Sequence, residues 1–165
     1  MKQSQPRKPD ADQARDPARV MAAALRLLAR REHSVQELTG KLLQRGYEPG
    51  TVESVTTALS QRQLLSDQRF VDEFVASRMR RGSGPLKIRG ELHNRGVDES
   101  LVDSALDASR RQWLANAEAV RRKRFGAQAP RDFAERARQA RFLQQRGFSA
   151  EQIRQVLKGE VESGD

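Results

Sequence analysis

One six-residue pattern occurs three times along the chain, and it limits the possible fold more than any other feature. Residues 92–97 read LHNRGV, residues 42–47 read LLQRGY and residues 143–148 read LQQRGF, so the copies lie about 50 residues apart. A leucine, then Arg-Gly three residues later, then a large apolar residue is typical of a helix that ends in a Schellman turn. The glycine of such a turn adopts the left-handed conformation. A repeat of this period predicts an array of similar units.

Capping residues and apolar spacing predict three short helices in each unit. A capping side chain or a proline stands where most of these helices begin: Asp16-Pro17, Ser34, Pro49, Ser66, Pro85, Asp98 and Ser149. The third helices align on the repeated glycine, with apolar residues six and nine positions after it: Val52 and Val55, Val102 and Ala105, Ile153 and Val156. Strand-like alternation is absent from the sequence. We therefore expect an all-α fold of three tandem three-helix repeats.

Three finer expectations concern the second and third units. Leu86 and Phe133 belong to apolar sets that we place on the inner faces of their helices. Gly90 lies inside a predicted helix at a cost of about 1 kcal/mol relative to alanine, so we expect another backbone to pack closely against it. No glycine or proline separates Asp98 from Phe125. The helix that begins there is expected to continue into the third unit, with a bend near residues 107–110.

These patterns divide the chain into five parts. We predict a disordered tail over residues 1–16, three-helix repeats over residues 17–65, 66–108 and 109–159, and an acidic tail over residues 160–165. The first tail is polar and contains two prolines, which is typical of disorder. Units of about 50 residues are close to the smallest size that folds alone, so we expect neighbouring repeats to share buried surface.

The composition limits the partners and the compartment. The formal net charge is +9 and the isoelectric point is near 10.9, which favours an anionic partner such as nucleic acid or an acidic protein face, although solubility alone would also explain it. There is no cysteine, so disulfides and thiolate metal sites are excluded. The sequence has neither a long apolar run nor a signal-peptide core, and we expect a soluble, cytoplasmic protein.

The sequence gives little support for catalysis. His33 and His93 are the only histidines, and neither has a patterned acidic partner. Adjacent acidic pairs on a helix point about 100° apart, which suits solvated faces better than paired acid–base chemistry. Residues 82–84 read GSG but lack the Gly-Lys-Ser/Thr of a phosphate-binding loop. We expect neither an enzyme nor a bound cofactor or metal.

The middle unit resembles the RecX family, whose members regulate the RecA recombinase. The most specific stretches are DQRFVDEFVASR at residues 67–78 and GPLKIRGELHNRGV at residues 84–97, and the resemblance extends over residues 22–157. The positions that match the family pattern are Asp67, Phe70, Ser77, Arg78, Gly84, Lys87, Ile88, Leu92, Arg95, Gly96 and Val97.

This resemblance implies three tandem three-helix units that form an elongated, curved array. It implies binding to RecA filaments on single-stranded DNA, with direct contact to the DNA as an open question. The implied outcome is inhibition of strand exchange, ATPase and coprotease activity, in DNA recombination, DNA repair and the SOS response. The protein is expected to act as a monomer.

Basic residues cluster in two stretches of the chain. Residues 78–95 carry six Lys or Arg against one Glu, and residues 110–146 carry eleven against three acidic residues. We expect nine of them to meet acidic RecA surface or DNA phosphate: Arg78, Arg80, Arg81, Lys87, Arg89, Arg121, Arg122, Lys123 and Arg124. Scattered, solvated helix faces are the open alternative. The arginines of the three Arg-Gly turns are expected to be helix caps.

Two other functions stay open at this stage. The first is a helix-turn-helix DNA-binding protein that acts without RecA, because short helices joined through a glycine turn suit a recognition motif. Against it, the third helix of the second unit offers Glu99 and Asp103, whose carboxylates would be costly near phosphates. The second is a scaffold for an unrelated acidic partner.

Overall fold

The computed structural model describes residues 8–158, and this part of the chain is helical with no β-strand. Within residues 8–158, ten α-helices and one 3₁₀ turn follow one another: α1 (Ala11–Ala14), α2 (Pro17–Leu28), α3 (Val35–Gln44), α4 (Pro49–Gln61), α5 (Asp67–Arg80), α6 (Pro85–His93), α7 (Glu99–Ala108), the 3₁₀ turn Arg110–Gln112, α8 (Trp113–Phe125), α9 (Phe133–Gln145) and α10 (Ala150–Lys158). The predicted all-α fold is confirmed.

The described residues form two compact units, here named the first unit and the second unit. The first comprises residues 8–70 together with Arg95–Val97, and the second comprises Val71–Asn94 and residues 98–158. No helix among residues 8–158 has the length and apolar character needed to cross a membrane.

Helices α2, α3 and α4 form the core of the first unit. The Asp16 carboxylate accepts a hydrogen bond from the Ala18 amide at 3.0 Å, and the Ser34 hydroxyl accepts one from the Glu37 amide at 3.0 Å. Both predicted caps are therefore present. The side chains that these helices bury include Val20, Ala24, Leu27, Leu38, Leu42, Val52, Val55 and Leu59. Burial of each larger aliphatic side chain stabilises the unit by about 1.5–3 kcal/mol.

The carboxylate of Glu37, in the first turn of α3, forms ion pairs. It lies 2.6 Å from Arg31 Nη2, 3.6 Å from Lys41 Nζ and 3.5 Å from Arg95 Nη1. The hydrogen bond from Arg31 is the main cause that lowers the pKa of Glu37 to about 2. This side chain collects cations from three segments of the first unit.

In the second unit, α8, α9 and α10 pack against one another, and α6 packs against α7. Trp113 begins α8 with only 3% of its surface exposed, and its Nε1 donates to the carbonyl of Leu106 at 3.1 Å. The other large buried side chains of this unit include Ile88, Leu92, Val102, Leu143, Phe148, Ile153, Val156 and Leu157.

The three repeated turns have left-handed glycines, as predicted. The φ angles are +91° at Gly46, +66° at Gly96 and +92° at Gly147. In the first turn the amide after the glycine donates back to the Leu42 carbonyl at 3.3 Å, and in the third the equivalent amide donates to Leu143 at 3.1 Å. These are the hydrogen bonds of a Schellman turn.

Two of these turns pack against the beginning of an earlier helix. In the first unit, a Cβ atom at Gly96 would lie 1.3 Å from Oε1 of Gln36, in the first turn of α3. In the second unit, the Gly84 amide donates to the Arg146 carbonyl at 2.7 Å, and the Leu86 amide donates to the Gly147 carbonyl at 3.0 Å. The carbonyls of the last turn therefore satisfy amides at the start of α6, where no side chain caps the helix.

Several expectations differ from the structure. Ala11–Ala14 form a one-turn helix within the expected tail, and the Glu48 amide donates to the Ala14 carbonyl at 2.9 Å. Residues 1–7 of that tail and the predicted acidic tail at 160–165 lie outside the described residues. The boundaries that we drew between the three repeats stay a prediction.

Three predictions for the second and third repeats were also wrong or incomplete. The continuous helix is interrupted, because α7 ends at Ala108 and a 3₁₀ turn precedes α8. Leu86 and Phe133 are 58% and 85% exposed instead of facing inward. A Cβ atom at Gly90 would meet nothing within 4 Å, so no backbone packs closely there.

Candidate anion-binding surface

Two of the predicted site residues form ion pairs within the second unit. The Arg78 guanidinium lies 2.5 Å from Glu91 Oε2 and 4.4 Å from the centre of the Phe74 ring. Arg89 lies 2.6 Å from Asp103 and 3.1 Å from Glu99. The hydrogen bond to Asp103 is the main cause that raises the pKa of Arg89. Both arginines already have acidic partners, so they are weak candidates for binding an external anion.

Arg121 is buried, so another molecule cannot contact its side chain. Its side chain is 0% exposed, and Nη1 donates to the Gln128 carbonyl at 3.2 Å and to Gln139 Oε1 at 3.4 Å. These bonds join α8 to the α8–α9 loop and to α9. The prediction that Arg121 contacts a partner was wrong, because the residue lies on the buried face of α8.

Two further predicted residues are exposed but differ in their surroundings. Arg122 is ion-paired with Glu118 one turn earlier on α8, at 2.6 Å. Lys87 is exposed on the first turn of α6, and its backbone packs against Gly147, where a Cβ atom would lie 2.6 Å from the Lys87 amide nitrogen. Neither side chain lines the cleft that the other four predicted residues form.

The other four predicted residues line one cleft within the second unit. The cleft has a volume of about 510 Å³, and its walls combine five cationic side chains with polar and apolar ones: Arg80, Arg81, Lys123, Arg124 and Arg146, with Met79, Gly82, Asn116, Ala119, Val120 and Phe142. No acidic residue lines it. In the described part of the chain, none of the four predicted cations is ion-paired with an acidic side chain. We call this site the basic cleft.

Packing between distant segments forms the basic cleft. Gly82, with φ of +83°, follows α5 and lies against Val120 of α8, where a Cβ atom would be 2.9 Å from Cγ2. Arg146, which follows α9, donates from Nη1 to the Arg81 carbonyl at 3.3 Å. Its guanidinium also lies 5.4 Å from the centre of the Phe142 ring. The ends of three helices therefore hold the five cations around one opening.

Like charges held together in this way produce a strongly positive local potential. The electrostatic free energy of the cleft falls when an anion enters, and the fall is largest for an anion that contacts several cations at once. Helix C-termini, with their partial negative charge, lie near these residues and make the assembly of cations less costly. The arrangement can bind an extended anion, and it contains no nucleophile or acid–base pair.

Sequence reasoning missed two polar residues of the basic cleft, Arg146 and Asn116. Arg146 was expected to cap a helix, and only its hydrogen bond to Arg81 places it in the site. Asn116 lies on α8 two helical turns before Lys123, so the period of the helix could have indicated that they share a face. Within residues 8–158, no group of three or more His, Cys, Asp or Glu side chains has a metal-binding arrangement.

The fold and the basic cleft define an all-α protein of repeated three-helix units with a cationic site. Family models agree with this description. The models "RecX, first three-helix domain", "RecX, second three-helix domain" and "RecX, third three-helix domain" match residues 21–57, 66–106 and 111–157. The chain belongs to the RecX family.

Curated relatives carry the same name. The regulatory protein RecX of Halorhodospira halophila (strain DSM 244 / SL1) is 52% identical over 135 residues, which is 82% of this chain and 84% of the relative. The regulatory protein RecX of Pseudomonas fluorescens (strain SBW25) is 45% identical over 140 residues, which is 85% of this chain and 90% of the relative.

Solved structures support the fold. A crystal structure of RecX from Lactobacillus salivarius has a TM-score of 0.76 at 18% identity, and covers 88% of this chain and 97% of that one. A second crystal structure, of regulatory protein RecX, has a TM-score of 0.73 at 22% identity over 85% of this chain and 72% of that one.

Proposed function

We propose that this protein is a negative regulator of the RecA recombinase. It binds RecA filaments on single-stranded DNA and inhibits strand exchange, ATPase and coprotease activity. Membership of the RecX family supports the proposal, and so does the gathering of Arg80, Arg81, Lys123 and Arg124 in one cleft. The protein acts as a monomer and catalyses no reaction itself.

Attachment alone is sufficient for this effect. A ligand shifts an equilibrium between two filament states when it binds one of them more tightly than the other. The protein therefore needs only a surface that fits one filament geometry, and it needs no chemical step. In this scheme the basic cleft supplies the electrostatic attraction, while the ion pairs of Arg78 and Arg89 keep that surface rigid.

A direct test measures ATP hydrolysis by RecA on single-stranded DNA while the purified protein is added. We expect hydrolysis to fall at amounts well below one protein per RecA subunit, because one bound regulator affects neighbouring subunits of a polymer. Unchanged hydrolysis at equimolar protein would refute the proposal. The double substitution Arg19→Ala and Arg154→Ala is a control, because both arginines are exposed and ion-paired and neither lines the cleft.

Sequence-specific binding to duplex DNA without RecA would be the competing function. Helix α7 does not favour it, because Glu99 and Asp103 are exposed there and both pair with Arg89. A recognition helix would place such carboxylates next to phosphates. Binding to random duplex fragments, selected over several rounds, would reveal any preferred sequence.

A further inference from the structure

We propose that the basic cleft binds the sugar–phosphate backbone of a single-stranded nucleic acid directly, without RecA. The inference deepens the proposed function and rests on it for the setting in which the strand is met. The alternative occupant is an acidic protein face, and the geometry of the cleft favours the strand for three reasons.

The first reason is concavity. The cleft of about 510 Å³ is the size of a site for a small ligand, and its cations come from α8 and from the ends of α5 and α9. The carboxylates of a folded protein lie on a broad surface, so only one of them at a time could enter such a cleft. A single strand is narrow and flexible, and it can pass through the cleft with successive phosphates near different walls.

The second reason is the type of cation. Four of the five are arginines: Arg80, Arg81, Arg124 and Arg146. The planar guanidinium donates two parallel hydrogen bonds to phosphate oxygens, and it is less strongly hydrated than an ammonium group. Arg146 is held in place by its bond to the Arg81 carbonyl, so part of the ordering cost is met before the ligand binds.

The third reason is the mixed lining. Between the cations lie the apolar side chains of Met79, Ala119, Val120 and Phe142, with the amide of Asn116 beside them. A nucleic-acid strand alternates phosphates with sugars and bases, whose apolar faces suit such a surface. Glutamate- or aspartate-rich peptides present no comparable apolar faces. A duplex would expose only its outer phosphates to the cleft, so we expect weaker binding of duplex DNA.

The test uses the full chain and a fluorescent oligothymidylate, with binding followed by fluorescence anisotropy at several salt concentrations in the absence of RecA. On a single strand, each phosphate contact contributes a slope of about 0.7 in a plot of log affinity against log salt. The double substitution Lys123→Ala and Arg124→Ala should lower the slope by about 1.4 and weaken binding about 25-fold at 0.1 M salt. Lys123→Glu alone, which reverses one charge at an exposed position, gives a second measurement of the loss of binding.

The control has the same net charge as the cleft variant. Arg19→Ala with Arg154→Ala also removes two exposed positive charges, but neither residue lines the cleft. The inference predicts a loss of less than about threefold for this control, since only long-range screened attraction is reduced. Equal losses for the two double variants would overturn the inference, because net charge alone would then explain binding.

Two further outcomes would also overturn it. One is the absence of oligothymidylate binding by the unaltered chain. The other is competition by polyglutamate as effective as that by unlabelled oligothymidylate of equal charge, which would assign the cleft to acidic protein. A chain that lowers RecA ATP hydrolysis but fails to bind the oligonucleotide refutes this inference alone, and the proposed function stands.

Discussion

The same substitution at two glycines near α6 should change the stability of the second unit in opposite directions. Gly84 precedes α6 with φ of −86°, an angle that alanine adopts freely, whereas Gly90 lies within the helix. A Cβ atom at Gly84 would lie 2.4 Å from the backbone carbon of Gly147. At Gly90 it would meet nothing within 4 Å. Packing against the last Arg-Gly turn is therefore the main difference between the two sites.

The expected magnitudes follow from these contacts. In Gly84→Ala the turn must move away, and overpacking of this kind costs about 1–3 kcal/mol. The movement also weakens the hydrogen bonds from the amides of Gly84 and Leu86 to that turn, each worth about 0.5–1.5 kcal/mol. The total loss should be about 2–6 kcal/mol. Gly90→Ala should instead stabilise the helix by about 0.5–1 kcal/mol, because alanine is the better helix former.

Urea unfolding measures both changes in one signal. Trp113 is the only tryptophan, it is buried, and it belongs to the same unit as both glycines, so its fluorescence reports the unfolding of that unit. Far-UV circular dichroism checks that the helices of the variants are formed before denaturant is added. A Gly84→Ala variant within 0.5 kcal/mol of the unaltered protein, a threshold typical of surface changes, would refute the packing of the turn on α6.

Three further predictions test separate parts of the structure. Arg121→Ala should lower the stability of the second unit by about 2–4 kcal/mol in the same urea assay, because a buried hydrogen-bonding side chain is lost; normal stability with reduced oligonucleotide binding would return Arg121 to the list of contact residues. Glu37 has its pKa lowered from 4.5 to about 2, so its ionised form stabilises the fold above about pH 4.5 and this contribution is lost as the pH falls through about 2. Glu37→Gln should therefore flatten the decline in helical circular dichroism over that range, and an unchanged decline would contradict the role of the carboxylate. Phe133→Ser should change the stability by less than about 0.5 kcal/mol because the ring is 85% exposed, whereas Leu143→Ala, at a fully buried position of the same helix, should cost about 2–5 kcal/mol.

The helices and their ends could be predicted from the sequence because their signals are local. Asp16, Ser34 and Asp98 cap the helices that they were expected to begin, and the repeated glycines close the three turns. A cap needs only a short side chain within three residues of the amide that it satisfies. Such contacts survive in almost any tertiary arrangement.

Three of the wrong predictions concern the face of a helix on which a residue lies. Trp113, Ala117 and Arg121 are spaced by four residues, and this spacing places Arg121 on the buried face of α8 in spite of its charge. Leu86 lies about 200° around its helix from Ile88, so both cannot face the same core. Phe133 is the first residue of α9, where a side chain points back beyond the packed part of the helix.

The basic cleft could not be predicted, since its residues come from segments far apart in the sequence. The sequence indicated that residues 78–95 and 121–124 are basic, but not that Arg80 and Arg81 lie beside Lys123 and Arg124 while Arg78 and Arg89 are ion-paired. Which cations are neutralised depends on long-range packing. A single sequence contains no direct record of that packing.

The hydrogen bonds between the last Arg-Gly turn and α6 also affect how the chain folds while it is synthesised on the ribosome. The amides of Gly84 and Leu86 acquire their carbonyl partners only after Arg146 and Gly147 have been made, about 60 residues later. Until then the beginning of α6 is open to water. A chain that stops before residue 146 should leave the amino end of this helix frayed, and proteases should cut it there first.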